Sequence, residues 1–462
     1  MVERIGVGLV SYGSREVAIA DALLRSRNYT VELYVADKVR NPFNIGHSKE
    51  HAVFPTLDPE EVCAFFEKHR DTIEFVIVGP EDPIIRGIRD LGEKKTGIPF
   101  VCPTKACALE ASKVSQRQLL QQVAPEVNPR FKVFRADDYS NAEEVRRELW
   151  KWLDELKNQA VVKPDGATRG KGVGVWGDHF QTREDLFEHF LSNYQFGPVI
   201  VEEKLLGEES SFMAFCDGNR LVPLPETRDN KRAFEGDRGP NTGGMGSYKD
   251  AKDWLPFMTK QDCEKEISIV QKLFEHLRGR TRNTGYLGVP FYVAFMHTAT
   301  GPKILEINSR FGDPELQNIM PILRDDFVDV CYSIIRGTLN RVDVQKKATV
   351  VVYKVPPTYG GKEKEYGGDR RVSLADAEAL IAAKGESLRV YPAALEVKGE
   401  ENYAMSSRTV CTVGIADNIE EAREISLEGI NAIEGGNLWY RTDIASKEHI
   451  QRSIDHMRTL RR

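Results

Sequence analysis

No apolar run in this chain approaches the roughly 18 residues that span a bilayer, and the start Met1-Val-Glu-Arg-Ile lacks the basic-then-apolar order of a secretion signal. A cytoplasmic location and no membrane partner are therefore expected. There is no C-x-x-C pair among the 7 cysteines, and Cys102 and Cys107 do not match a zinc knuckle, so reduced, mostly buried thiols are expected. Neither G-x-S-x-G nor H-E-x-x-H occurs, so nothing points to a serine nucleophile or a zinc hydrolase. A P-loop is missing too, because Gly172 stands where Ser or Thr should follow Lys171. Gly6, Gly8 and Gly13 fail the spacing of a dinucleotide fingerprint. Basic patches are also lacking: net charge is −6 with the cations dispersed, and no nucleic-acid partner is expected.

What is present is an ordinary globular composition over 462 residues, long enough for two to four domains. The first hundred residues alternate strand and helix, with strands expected at 4–10, 31–36, 74–78 and 99–102, the rhythm of a parallel sheet in an α/β fold. Polar loops, Ser11-Tyr-Gly-Ser-Arg-Glu16 and Gly79-Pro-Glu-Asp-Pro83, follow two of those strands, at the edge where open α/β sheets bind ligands. We divide the chain into an amino-terminal substrate-binding domain (1–105), a linking helix within 106–127, a small lid (128–196), a central body (197–335) and a carboxy-terminal domain (336–462).

The segment Ile304-Leu-Glu-Ile-Asn-Ser-Arg-Phe-Gly-Asp-Pro-Glu315 is the most telling. On an extended strand Glu306 and Asn308 share a face, and Arg310 can follow them. A carboxylate and an amide oxygen suit a hard cation such as Mg²⁺, which needs few protein ligands when phosphates complete its shell, and Arg310 is left to grip an anionic oxygen. The segment Lys163-Pro-Asp-Gly-Ala-Thr-Arg-Gly-Lys-Gly-Val-Gly174 lies between two strands. It is expected to form a mobile hairpin lid in which Lys163, Gly170, Lys171 and Gly172 contact a triphosphate. The strand that ends Glu202-Glu203-Lys204-Leu205 can offer its backbone to an adenine edge, and Glu209 or Glu208 can accept from ribose hydroxyls. In the long Gly-rich loop 227–246, Asp229 is placed to hold an ammonium group and Lys231 or Arg232 a phosphate. At the first turn, Gly13, Ser14, Arg15 and Glu16 begin a helix whose free amides, with Arg15, form an anion site for a phosphorylated small substrate.

In order, Gly13-Ser-Arg-Glu16, Val78-Gly-Pro-Glu81, Ser112-Lys113, 163–174, Glu202-Glu203, 235–248 and Glu306–Glu315 resemble, nearly end to end, the phosphoribosylamine-glycine ligases of purine biosynthesis. These are ATP-grasp enzymes. Ser407-Arg-Thr-Val-Cys-Thr-Val-Gly414 and Arg441-Thr-Asp-Ile444 look like the last domain of that family. The resemblance implies a multidomain ATP-grasp fold with a parallel-sheet amino-terminal domain, a small lid and a carboxy-terminal domain. It implies ATP and Mg²⁺ or Mn²⁺, with glycine and 5-phosphoribosylamine as the other substrates, and a monomer or small homo-oligomer. Under it, Lys163 and Lys171 steady the phosphates with Lys113 opposite, Glu306 and Asn308 carry the metal, and Arg310 faces the phosphoryl group in transit. Asp229 joins Lys163 and Arg310 in the catalytic set, while Gly13, Ser14, Arg15, Glu16, Gly79, Pro80, Glu81, Lys231, Gly312 and Asp313 surround the substrates. This chain departs from the family at Ser14, Val17 and Asn230, where Gly, His and His are usual, and in Lys354-Val-Pro-Pro-Thr-Tyr359. A related ATP-grasp ligase with another acceptor, or a non-catalytic nucleotide binder, is the alternative reading.

Overall fold

A computed structural model describes residues 2–166, 172–279 and 285–462. The amino-terminal domain follows the expected alternation: β1 (Glu3–Ser11), α1 (Ser14–Leu24), β2 (Tyr29–Asp37), α2 (Pro42–His47), β3 (Ser48–Val53), α3 (Pro59–Glu67), β4 (Ile73–Val78), α4 (Glu81–Ile85), α5 (Ile88–Thr96) and β5 (Phe100–Val101). All pairings are parallel in the order β3-β2-β1-β4-β5. The polar strand β3 is an addition to the expected set; half-exposed at the sheet edge, it lacks the apolar run by which its neighbours are recognised. Apolar side chains cover both faces, α3 on one and α1 on the other. Both polar loops follow strands β1 and β4 at the carboxyl edge.

The linking helix, expected from Ala108, is instead α6 (Lys113–Val123). Ser112 caps it by accepting from Ser115 N at 3.1 Å, and 109–111 form a separate 3₁₀ turn. The lid contains β6 (Phe131–Phe134), α7 (Ala142–Glu155), β7 (Ala160–Pro164), β8 (Gly174–Val175), α8 (Arg183–Tyr194) and β9 (Val199–Glu203). The hairpin is antiparallel, with Val161 opposite Val175. We expected β9 to open the central body; it lies inside the lid sheet, ordered β6-β9-β7-β8. Val199 and Val201 explain the change, since they are buried among Leu149, Trp152, Val162 and Phe190 of the lid core.

The body is an antiparallel sheet of β10 (Glu208–Asp217), β11 (Leu221–Pro223) and, after the loop strands β12 (Arg228–Asp229), β13 (Arg232–Phe234), β14 (Arg238–Asn241) and β15 (Gly246–Lys249) and helix α9 (Lys260–Arg278), β16 (Leu287–Thr298) and β17 (Gly301–Asn308). Register settles its two faces. Met213, Tyr292 and Asn308 lie in one row and Ser211, Ala294 and Glu306 in the next on the same side. Phe212, Val293, Phe295, Ile304 and Ile307 occupy the other side and pack under α6 and α9. The sheet is thus polar toward a cleft and apolar toward its helices.

After α10 (Leu316–Ile319) and α11 (Phe327–Arg336), the last domain contains β18 (Ala348–Lys354), β19 (Arg371–Ser373), α12 (Ala375–Lys384), β20 (Leu388–Pro392), β21 (Leu395–Lys398), β22 (Glu401–Ala404), β23 (Val410–Ala416), α13 (Ile419–Asn431), β24 (Glu434–Gly435) and α14 (Lys447–Leu460). Its main sheet runs β12-β15-β18-β23-β20, so two strands of the 227–246 loop region belong to it. That loop has a fixed path. The seven cysteines are free, all buried but Cys263. Among the described residues no helix is long and apolar enough to cross a membrane.

Candidate active site

Glu306 and Asn308 face the cleft as strand alternation requires, with Asn308 Nδ2 3.5 Å from Glu306 Oε1. Burial alone would raise the Glu306 carboxyl, but Lys231, Lys113, Lys163 and Arg310 around it outweigh that effect and hold it below the ordinary carboxylate range. An ionised carboxylate beside an amide, ringed by four cations, is a donor set suited to a divalent ion that also binds phosphate oxygens. Among the described residues no three His, Cys, Asp or Glu side chains are grouped to hold a metal by themselves.

Lys163 comes to this cleft from the lid. Its Nζ donates to the Leu305 carbonyl at 3.2 Å and pairs with Glu202 at 2.7 Å. The Glu202 carboxylate is taken up within the protein. It is 2% exposed, and Arg117 of α6 grips both its oxygens while also donating to the carbonyls of Ile304 and Leu305 at 3.0 and 2.6 Å. Burial favours the neutral acid, yet Arg117 and Lys163 bring Glu202 down to about 2. The strand's alternation leaves Glu202 no route outward. Glu203 also has a partner in the chain, accepting from Arg130 N at 2.9 Å. Leu205 lies in the turn after β9, where the neighbouring Leu206 is 63% exposed.

Of Glu208 and Glu209, the first is spent on Arg228 and on His456 at 2.6 Å, on the face away from the cleft. Glu209 faces the cleft and pairs with Lys231 at 2.8 Å. The lid is latched where Asp165 accepts from Ser112 Oγ and Val114 N, both at 3.1 Å, and where Lys113 Nζ donates to the Gly166 carbonyl. Gly172 accepts from His189 at 2.8 Å; Gly170 and Lys171 lie outside the described residues.

The amino-terminal turn does not present the expected open anion site. Glu16 reaches back to Gly13 N at 2.9 Å and Tyr12 N at 3.3 Å, occupying amides that an anion would use. Arg15 is buried as well. It heads a ladder of alternating charge: Glu16 to Arg15 at 2.6 Å, Arg15 to Glu81 at 3.9 Å, Glu81 to Arg310 at 3.6 Å and Arg310 to Glu110 at 3.6 Å. Gly79, next to Pro80, permits this approach, because a Cβ there would overlap the Glu16 carboxyl. Arg310 also sits 5.6 Å from the Tyr292 ring. Glu110, absent from our expectations, is pushed up to about 7 by burial, with Glu81 and Glu306 adding and Arg310 opposing. Its position in the 3₁₀ turn just before Ser112-Lys113 is the signal that could have found it.

Asp229 lies half-buried beneath Gly244, whose φ of 108° and close approach, a Cβ 2.6 Å from Asp229 Oδ1, exclude any larger residue. Burial and then the nearby Glu315 raise the Asp229 carboxyl well above its ordinary range. Glu315 accepts from Ser211 Oγ at 2.9 Å and Tyr292 OH at 2.7 Å, and Gly312 gives it room. Asp313 binds Arg408 at 2.5 Å, Gln317 at 2.9 Å and the Tyr353 hydroxyl at 3.0 Å. Arg408 and Tyr353 come from the last domain and were missed as site residues, since no spacing connects them to residue 313.

Family profiles described as phosphoribosylglycinamide synthetase, N domain, and phosphoribosylglycinamide synthetase, ATP-grasp (A) domain, match residues 5–110 and 97–316. A phosphoribosylamine-glycine ligase of Thermococcus kodakarensis is 38% identical over 458 residues, covering 98% of this chain and 99% of the relative. The chain belongs to the phosphoribosylglycinamide synthetase family. The resemblance inferred from the motifs, and the multidomain ATP-grasp fold it implied, are thereby established. A solved phosphoribosylamine-glycine ligase of Thermotoga maritima superposes with a TM-score of 0.72 at 24% identity, covering 95% of this chain and all of that one. The biotin carboxylase domain of Hydrogenobacter thermophilus 2-oxoglutarate carboxylase, solved with MgADP, ADP and bicarbonate, shares the fold at a TM-score of 0.65 and 16% identity, covering 98% of this chain and 93% of that one.

Proposed function

We propose that the chain joins glycine to 5-phosphoribosylamine at the expense of ATP, giving glycinamide ribonucleotide, ADP and phosphate. The observation that carries this reading is the face shared by Glu306 and Asn308, surrounded by Lys113, Lys163, Lys231 and Arg310. A glycine carboxylate oxygen attacks the γ-phosphorus of ATP and ADP leaves. The amine nitrogen then attacks the acyl carbon of glycyl phosphate, phosphate departs and the nitrogen loses a proton. The four cations match the charge that spreads over phosphoryl oxygens during transfer, and no enzyme nucleophile is required. Glu306 and Asn308 would hold Mg²⁺ or Mn²⁺, which supplies charge neutralisation between phosphates. Glu209 and the backbone near Leu205 would take the nucleoside, with Asp229 and Lys231 on the acceptor side and Arg310 between.

The departures at Ser14, Val17 and Asn230 are compatible with this substrate pair, because these three side chains face inward. Ser14 Oγ bonds the Tyr353 hydroxyl and accepts from Gln317 at 3.0 Å. Val17 is in the core, and Asn230 is buried against the Gly246 carbonyl at 3.3 Å. Incubation with ATP, Mg²⁺, glycine and freshly generated phosphoribosylamine should release ADP only when glycine is present. ADP release that ignores glycine, or proceeds only with another amino acid, rejects the assignment.

A further inference from the structure

The segment that carries Asp229 and Lys231 is gripped from behind by the last twenty or so residues of the chain. In β12 successive side chains point to opposite sides, so Asp229 faces the cleft and Arg228 faces α14. There Arg228 pairs with Glu208 and donates to Ser453 Oγ at 3.1 Å, and His456 of the same helix holds Glu208 at 2.6 Å. Farther along, Arg441, fully buried, donates to the Arg232 carbonyl at 2.8 Å and to Asp237 at 3.0 Å. Asp237 also receives His449 Nε2 at 2.7 Å and Arg452 at 3.4 Å. Its φ of 56° is a left-handed conformation, uncommon outside glycine although aspartate tolerates it better than most residues. Asp443 adds a bond from Gly236 N at 2.8 Å, and Thr442 donates to Glu235. None of these groups touches the Glu306 cluster.

We propose that Arg441 and His449 are positioning residues that set Asp229 and Lys231 for the reaction by fixing Asp237 and the Arg232 carbonyl. Neither has a part in nucleotide binding. The proposal rests on the functional reading above for which step suffers. Its structural half, that the carboxy-terminal segment orders the loop, does not.

The test uses the full chain with Asp237→Asn, His449→Ala and His449→Gln, the last retaining a donor toward Asp237. We expect kcat to fall about 10- to 100-fold in Asp237→Asn and His449→Ala, with ADP affinity by calorimetry unchanged within about twofold. His449→Gln should recover most of the loss. The double variant Asp237→Asn with His449→Ala should be no worse than the poorer single one, because the two groups act as a unit. Amide hydrogen exchange across 229–246, which needs no substrate, should quicken in both damaging variants. Normal kcat, a parallel loss of ADP affinity, or unchanged exchange in the variants overturns the proposal. If one variant fails to fold, the variant across the same contact decides. A wild-type protein without glycine-dependent ADP release rejects the functional reading instead, and exchange then judges the loop.

Discussion

Glu202→Gln separates two roles that one carboxylate could have. In the structure Glu202 neutralises Arg117 and Lys163 at the hinge between lid and body, at 3.0 Å and 2.7 Å. Its carboxyl is held at about 2 instead of the ordinary 4.5. That difference corresponds to about 3 kcal/mol of stability. The sign follows from the lowered value: the contribution is full above the unfolded carboxyl's pKa and is lost as pH falls through about 2, so at pH 7 all of it is at stake. The amide leaves two buried cations facing each other with only carbonyl partners, Ile304 and Leu305, which is why loss of one member of such a cluster is costly. Urea unfolding at pH 7 should show a loss of about 3 kcal/mol, with ADP affinity changed less than by Lys163→Ala. A variant within about 0.5 kcal/mol of the wild type that nevertheless loses ADP binding would mean that Glu202 touches the nucleotide and that this account is wrong.

Three further expectations follow from the cleft. Glu306→Ala should lower turnover by about a thousandfold or more while leaving the circular dichroism spectrum intact, since it removes charge stabilisation of several kcal/mol at the phosphates; near-normal activity at limiting Mg²⁺ refutes the metal assignment. Lys163→Ala should weaken ATP binding more than glycine binding, and equal losses in a two-substrate kinetic analysis would show that its amine is not directed at phosphate. Glu110 makes the opposite contribution to that of Glu202: with its carboxyl raised from 4.5 to about 7, the stability it adds is full below 4.5 and lost as pH rises through about 7. Glu110→Gln should therefore flatten that part of the decline in urea-unfolding free energy across this window, and an identical pH profile in the variant would contradict the burial argument.

What could be read in the sequence divides by how far along the chain the cause lies. Glu306 and Asn308 need only the period of one strand, and the parallel sheet of the first hundred residues needs only the alternation of apolar runs. Arg310 lies beside Glu306, to which its sequence position already ties it, but its two carboxylate neighbours, Glu81 and Glu110, come from separate segments of the chain. The ion pair that buries the Glu202 carboxylate was not legible, because its partner Arg117 lies 85 residues away in sequence. The amino-terminal turn misled for a local reason, since a Glu at the third helical position can cap its own helix as readily as a ligand can. Arg408 and Tyr353 lie beyond any pattern argument because the last domain folds back onto the cleft.

The pairing of β15 with β18 gives the last domain a hold on the catalytic body that no boundary near residue 336 can respect. Its sheet receives strands from the middle of the chain, so the two parts are interleaved rather than joined in series. A chimera that takes its carboxy-terminal domain from a relative must also import 228–249, or it will set one protein's loop strands against another's sheet. Substitutions in that loop and in the final helix should accordingly be inherited together, as one heritable unit spread over two distant stretches of sequence.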